Sequence, residues 1–216
     1  MPASNIYPES SIISSRRVLT REVTIPIAVN NRHVHLSKED AETLFGASDN
    51  LTLDTSPEKL LWPGQTLWKE KVAISGPEGS IQNVGLVGPY GTTSIEISCG
   101  DAYRLGLSME EAGGKKFPPG VTVKGPKGNV FIKTDSPVSG RWLLVSKSRA
   151  EKNGLKDGAS VDVRVGAKTD SAATFHNVKI VVSSWTDQDC WAVYLDSDAA
   201  GAASVKTGDT AHVMLD

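Results

Sequence analysis

Two histidines one residue apart, His33 and His35 in the run NRHVHLS, form the most chemically suggestive spacing in the chain. On an extended segment, residues at i and i+2 project to the same side. Two neutral imidazoles that converge in this way can hold zinc or another borderline divalent metal. The same pair also fits a half-exposed strand face whose rings hydrogen-bond to backbone. Glu96, in SIEIS, is an acid set between two isoleucines. If buried, it needs a partner or a metal. On the outer face of a half-buried strand it needs neither. Together with the histidines it would complete a His-His-Glu set with a fourth position open, the layout of catalytic zinc. The sequence by itself does not bring the three together in space.

Cys99, three residues after Glu96, reads either as a fallback thiolate ligand or as a buried, inert thiol. His176 and His212 stand alone, as structural or exposed histidines usually do. Arg32 and Arg141 can bind phosphate through paired guanidinium N–H groups, or can anchor a local turn or ion pair. The phosphate loop GxxxxGK[ST], the nucleophile elbow GxSxG and the dinucleotide fingerprint are absent. Nucleotide hydrolysis, serine-hydrolase chemistry and dinucleotide binding therefore have no support.

The elements that must position these groups read as strand, turn, strand. From Val23 onward short apolar or alternating runs recur, among them VTIPIAV, KVAIS, SIEIS, RWLLVS, NVKIVVSS and WAVYLD. Turn formers such as GPEGS, GPKGN and KDGAS separate them. Helical patterning is confined to short stretches, chiefly Ser37 to Phe45 and Lys147 to Asn153. This predicts a mainly β fold of barrels or sandwiches with short helices. An internal repeat sharpens the expectation. NRHVHLSKEDAETLFG (Asn31 to Gly46) aligns without a gap to GRWLLVSKSRAEKNGL (Gly140 to Leu155), matching Arg32 to Arg141 and Ser37 to Ser146. In both copies a strand runs into a Ser that can cap the following helix. The repeat predicts two related barrels. Residues 1–21 read as a tail, flexible or weakly helical over Ser10 to Arg21.

Composition excludes several classes. Lys plus Arg number 23 against 25 acids, a formal charge of -2. That balance gives no electrostatic footprint for nucleic acid. No apolar run reaches the length of a membrane span, and the N-terminus lacks a signal peptide's unbroken apolar centre. The two cysteines, Cys99 and Cys190, make no disulfide framework, which points to a reduced, cytoplasmic setting.

From about Ile25 to the C-terminus the sequence resembles the phosphate propanoyltransferase family, the phosphotransacylases of propanediol-utilising microcompartments. The resemblance rests on N-R-H-x-H-L-S, PGQ (Pro63 to Gln65), LVGP (Leu86 to Pro89), EIS-x-x-DA-x-x-LG (Glu96 to Gly106), PPGVTVKGPKGNV, GLKDG (Gly154 to Gly158) and DSDAA (Asp196 to Ala200), in that order. It implies two closed β-barrels capped by short helices, one from residues 22–31 plus 140–216 and the other from 32–139. It implies exchange of an acyl group between coenzyme A and phosphate over two zinc ions, with His33, His35 and Glu96 as ligands of the first. It implies acyl-CoA or acyl phosphate as small-molecule partners and a link to a microcompartment. The alternative reading is a non-catalytic paralogue, a binding or structural subunit whose protein partner is a second copy in a homo-oligomer, an active homologue or a compartment component.

The sequence also departs from the family. The second R-H-x-H element reads Arg141-Trp142-Leu143-Leu144, and Tyr194 stands where the last ligand of the second zinc belongs. Tyr90 or Gly91 occupies the place of the phosphate arginine. The expectation is therefore one zinc, a degenerate second site at Trp142, Leu144 and Tyr194, and phosphotransacylase activity lost or altered.

Overall fold

The computed structural model describes residues 21–55, 64–107, 120–133, 139–166, 170–184 and 188–215. The expected tail thus lies outside the described residues, except Arg21, which opens the first strand.

Six strands close into a barrel in the order β1 (Arg21–Asn30), β12 (Trp191–Asp196), β9 (Trp142–Ser146), β11 (Ala173–Ser183), β10 (Ser160–Val165) and β13 (Thr210–Leu215). Strand β1 runs parallel to β12, β9 runs parallel to β11, and the remaining pairs are antiparallel. Its interior is filled by alternate residues of these strands, including Ile25, Ile27, Leu143, Val145, Val163, Val193, Leu195 and Val213. This is the period-2 alternation that a closed β-barrel requires.

The middle of the chain builds a second, seven-stranded sheet. Its path runs β6 (Ser94–Glu96), β2 (His33–His35), β5 (Ser80–Gly88), β4 (Thr66–Ser75), β7 (Val121–Lys124) and β8 (Asn129–Ile132), with β3 (Leu53–Asp54) on β4. The mainly β architecture follows the expectation, but this sheet is a curled half-barrel among the described residues rather than a second closed barrel. The reason lies in its marginal strands. Closure demands a continuous stagger of hydrogen bonds around the ring, and β6 and β8 are only three and four residues long. Helices and loops close its core instead, where Leu36, Leu44, Ile74, Leu86, Ile97 and Leu105 are buried.

The helices reveal how deep the repetition runs. Four times a strand enters a cap residue and then a short helix. The four are β2–Ser37–α1 (Lys38–Phe45), β6–Ser98–α2 (Cys99–Arg104), β9–Ser146–α3 (Lys147–Asn153) and β12–Asp196–α4 (Ser197–Ala202). Ser37 accepts from the Asp40 N–H, Ser98 from the Asp101 N–H, and Asp196 from the N–H groups of Asp198 and Ala199. Ser146 departs from the expected cap, because its hydroxyl donates to Asp189 at 2.9 Å. Gly46 and Gly154 end the first and third helices with φ of 90° and 68°. A side chain at either place would be strained.

Candidate functional site

Two residues before each cap stand His35, Glu96, Leu144 and Tyr194. Strand pairing then makes the chemistry explicit. In the half-barrel, His33 on β2 lies directly opposite Glu96 on the antiparallel β6. In the closed barrel, Trp142 on β9 lies directly opposite Tyr194 on the antiparallel β12. Position for position, the His33–His35–Glu96 set of one sheet corresponds to Trp142–Leu144–Tyr194 of the other.

In the half-barrel Val34 and Leu36, and Ile95 and Ile97, face the core. Alternation sends His33, His35 and Glu96 to the opposite face. There the three converge, with one ligand atom from each lying within 4.8 Å of the others. The Nε2 atoms of His33 and His35 are 3.1 Å apart, and Glu96 Oε1 lies 3.8 and 3.9 Å from them. The Nδ1–H of His33 donates to the Asn31 carbonyl at 2.8 Å. That bond directs the Nε2 lone pair inward and fixes the ligating tautomer. Burial, then the neighbouring His33, holds the pKa of His35 below its ordinary value. A neutral ring with its lone pair available is the form that ligates.

Glu96 is held from behind. Its Oε2 accepts from Asn30 Nδ2 at 2.8 Å and from the Ser139 hydroxyl at 3.1 Å. Asn30 also donates to Ser139 at 3.1 Å. These supports come from the end of β1 and the approach to β9, so the closed barrel orients a carboxylate of the half-barrel. Nothing in the local pattern around Asn30 or Ser139 signals this role. The donor set fits a divalent cation. A tetrahedral ion with bonds of about 2.0 Å places its ligands about 3.3 Å apart, close to the separation of the two nitrogens.

The site opens into a cleft of about 650 Å³. Asn30, Arg32, His33, Lys71, Asn83 and Glu96 line its polar side, and Ala28, Leu67, Val87, Trp142 and Tyr194 its apolar side. A larger groove of about 880 Å³ lies beside Arg149 and Trp191 and contains none of the residues singled out from sequence.

The remaining candidates separate. Arg32 lines the cleft but is engaged by buried Asp101 at 2.6 Å. Arg141 lies over the Phe175 ring, 5.0 Å from its centroid. Cys99 is exposed at the start of α2, against the expectation that it is buried, and it belongs to no metal-ligand group among the described residues. His176 pairs with Asp162 and His212 with Glu22, each at 2.8 Å. Tyr90 donates its hydroxyl to the Ser48 carbonyl and lies 4.9 Å from Trp68, ring centroid to centroid.

A sequence profile for phosphate propanoyltransferase matches residues 26–206. The chain belongs to the phosphate propanoyltransferase family. It is 36% identical to the phosphate propanoyltransferase of Thermotoga maritima over 201 residues, covering 92% of each chain. It is 35% identical to that of Priestia megaterium over 195 residues, covering 89% of this chain and 86% of the relative. It is 37% identical to that of Rhodobacter capsulatus over 164 residues, or 74% of each. The family acts on acyl-CoA and phosphate, so membership supports phosphotransacylase activity. No helix among the described residues is long and apolar enough to cross a membrane.

Proposed function

We propose that this chain holds a single zinc ion at His33, His35 and Glu96, binds acyl-CoA in the adjoining cleft, and has lost or altered the transfer of the acyl group to phosphate. One observation carries the reading. The positions equivalent by strand register to His33, His35 and Glu96 are Trp142, Leu144 and Tyr194. None of these offers the imidazole or carboxylate donors of the first set.

When bound, zinc would supply a Lewis acid that favours the thiolate form of the coenzyme A sulfur. The chain's own groups prepare that place. The Asn31 carbonyl orients His33, burial favours the neutral form of His35, and Asn30 with Ser139 turns Glu96 Oε1 toward the two rings. On the other side, phosphate would have to be held and partly stripped of water beside aromatic carbon. Attack on the acyl carbonyl needs cationic groups at that point. Each such group is commonly worth about 10²-fold or more in rate, so losing several costs orders of magnitude.

The test assays zinc-loaded protein for acyl-CoA formation from acetyl- and propionyl-phosphate plus coenzyme A, beside an active two-zinc relative. Turnover at least 10²-fold below the relative is expected. Turnover equal to the relative's and abolished in His33→Ala means one metal suffices and removes the argument. Complete inactivity with stable co-purification of an active homologue would mark a non-catalytic partner subunit.

A further inference from the structure

The half of the cleft without ligating groups has a chemistry of its own. Trp142 and Tyr194 stand with ring centroids 6.3 Å apart and planes 27° from parallel. They belong to an apolar cluster on the outer face of the closed barrel in which Leu144, Cys190 and Ala192 are buried behind, while Ala28, Trp142 and Tyr194 line the cleft. In the cleft Leu67 and Val87, from the half-barrel, extend that surface. Gly140 makes room for the indole, since a Cβ there would meet the Trp142 ring at 3.3 Å. The residue before it, Ser139, is the one that bonds Glu96. At the other end, Ala28 pairs with Tyr194 two residues before Asn30, the second support of Glu96. The apolar wall therefore starts beside the backbone that fixes the carboxylate, and both belong to one cleft. Burial raises the Tyr194 phenol above its ordinary pKa, so the wall stays neutral.

A phosphate dianion meets no cation in this wall and loses water against its carbon faces. An alkyl or aryl group gains by leaving water there. The surface is concave and rimmed by Asn30, Lys71 and Asn83, a shape for a small ligand rather than a flat protein partner. We propose that the Trp142–Tyr194 wall is an acyl pocket and that the cleft selects thioesters with apolar acyl groups larger than propionyl, hexanoyl and benzoyl being representative. This rests on the reading that the sulfur end of the thioester is held at the His33–His35–Glu96 site.

The test uses coenzyme A thioethers, which cannot turn over, with S-ethyl, S-hexyl and S-benzyl groups. Binding to the full chain loaded with zinc is followed by calorimetry and by tryptophan fluorescence, with zinc content measured on the same samples. Burying one methylene is worth about fourfold in Kd, so even a partly buried hexyl chain gives tenfold. S-hexyl and S-benzyl forms are expected to bind at least tenfold tighter than S-ethyl. That preference is expected to vanish in Trp142→Ala and to survive largely in Trp142→Phe. A series flat within twofold, on protein carrying one equivalent of zinc and binding S-ethyl coenzyme A, overturns the pocket and leaves the metal reading intact. Protein that carries one equivalent of zinc but binds no thioether overturns both. The wild-type series decides the matter even if Trp142→Ala does not fold.

Discussion

Removing the two groups behind Glu96 is the sharpest perturbation the site offers, because neither would touch the ion. Asn30→Ala with Ser139→Ala deletes both hydrogen bonds to Glu96 Oε2, at 2.8 and 3.1 Å, and the 3.1 Å bond between the supports. A hydrogen bond to a charged group is worth about 1.5–3 kcal/mol. The Glu96 side chain is 34% exposed, so water takes over part of what is lost. The two bonds together are therefore assigned the value of one, about 1.5–3 kcal/mol, which is roughly 10- to 150-fold in metal affinity. The single variants should not sum to the double, because Asn30 Nδ2 serves both Glu96 and Ser139. Competition against a chromophoric zinc chelator at fixed pH and salt reads the affinity, and circular dichroism confirms folding. A folded double variant that binds zinc within twofold of the parent refutes the positioning argument.

Three further expectations follow, two from the same site and one from the groove beside Arg149. Zinc at about 100 times its Kd adds about 2.7 kcal/mol of stability, or roughly 5–10 °C in Tm for a chain of this size. Chelator should reverse that rise and His33→Ala should abolish it, while an equal rise in the variant would place the metal elsewhere. Trp142→His with Leu144→His and Tyr194→His should raise the zinc content from one equivalent to two by plasma mass spectrometry. The added polar groups at buried Leu144 should cost about 2–5 kcal/mol in denaturant unfolding, and a content that stays at one would break the register equivalence. Asp189 titrates below the usual carboxylate range because Arg149, and then Ser146, donate to it. Its stabilising contribution is thus present above the unfolded pKa of about 3.9 and is lost as pH falls through the depressed folded value. Asp189→Asn should flatten acid unfolding below about pH 4, and an unchanged acid limb would show that the pairing adds nothing to stability.

Local patterns carried the strands, the short helices and the convergence of His33 with His35, because alternation and capping act over a few residues. An acid inside an apolar strand singled out Glu96, and the motif resemblance joined it to the histidines, but its place opposite His33 depends on a register across some sixty residues that no local pattern encodes. The alignment of Asn31–Gly46 with Gly140–Leu155 exposed two copies of the strand–cap–helix unit, whereas the described residues hold four. The β6–α2 and β12–α4 copies were missed because only their backbone course is shared. A strand followed by Ser98 or Asp196, then an acid and an alanine, was the available signal. The open edge of the second sheet was not legible either. Three- and four-residue strands look like any other β run until their neighbours are known. Cys99 shows the reverse problem, since proximity in sequence to Glu96 says nothing about direction once a helix begins between them.

Only Asn31 and Arg32 separate β1, a stave of the closed barrel, from β2, which carries both histidines. Across the same seam Asn30 and Ser139 grip Glu96 of β6, and the Ser139 N–H donates to the Ile97 carbonyl. The sheets therefore cannot part by bending a linker, because parting them means releasing the carboxylate and its strand together. In hydrogen exchange, the amides of β2 and β6 should be protected to the same degree as those of β1, although β6 is the margin of its own sheet. The opposite margin, β8, should exchange sooner. Ion release and separation of the two sheets then share one opening step, and a bound cation slows both.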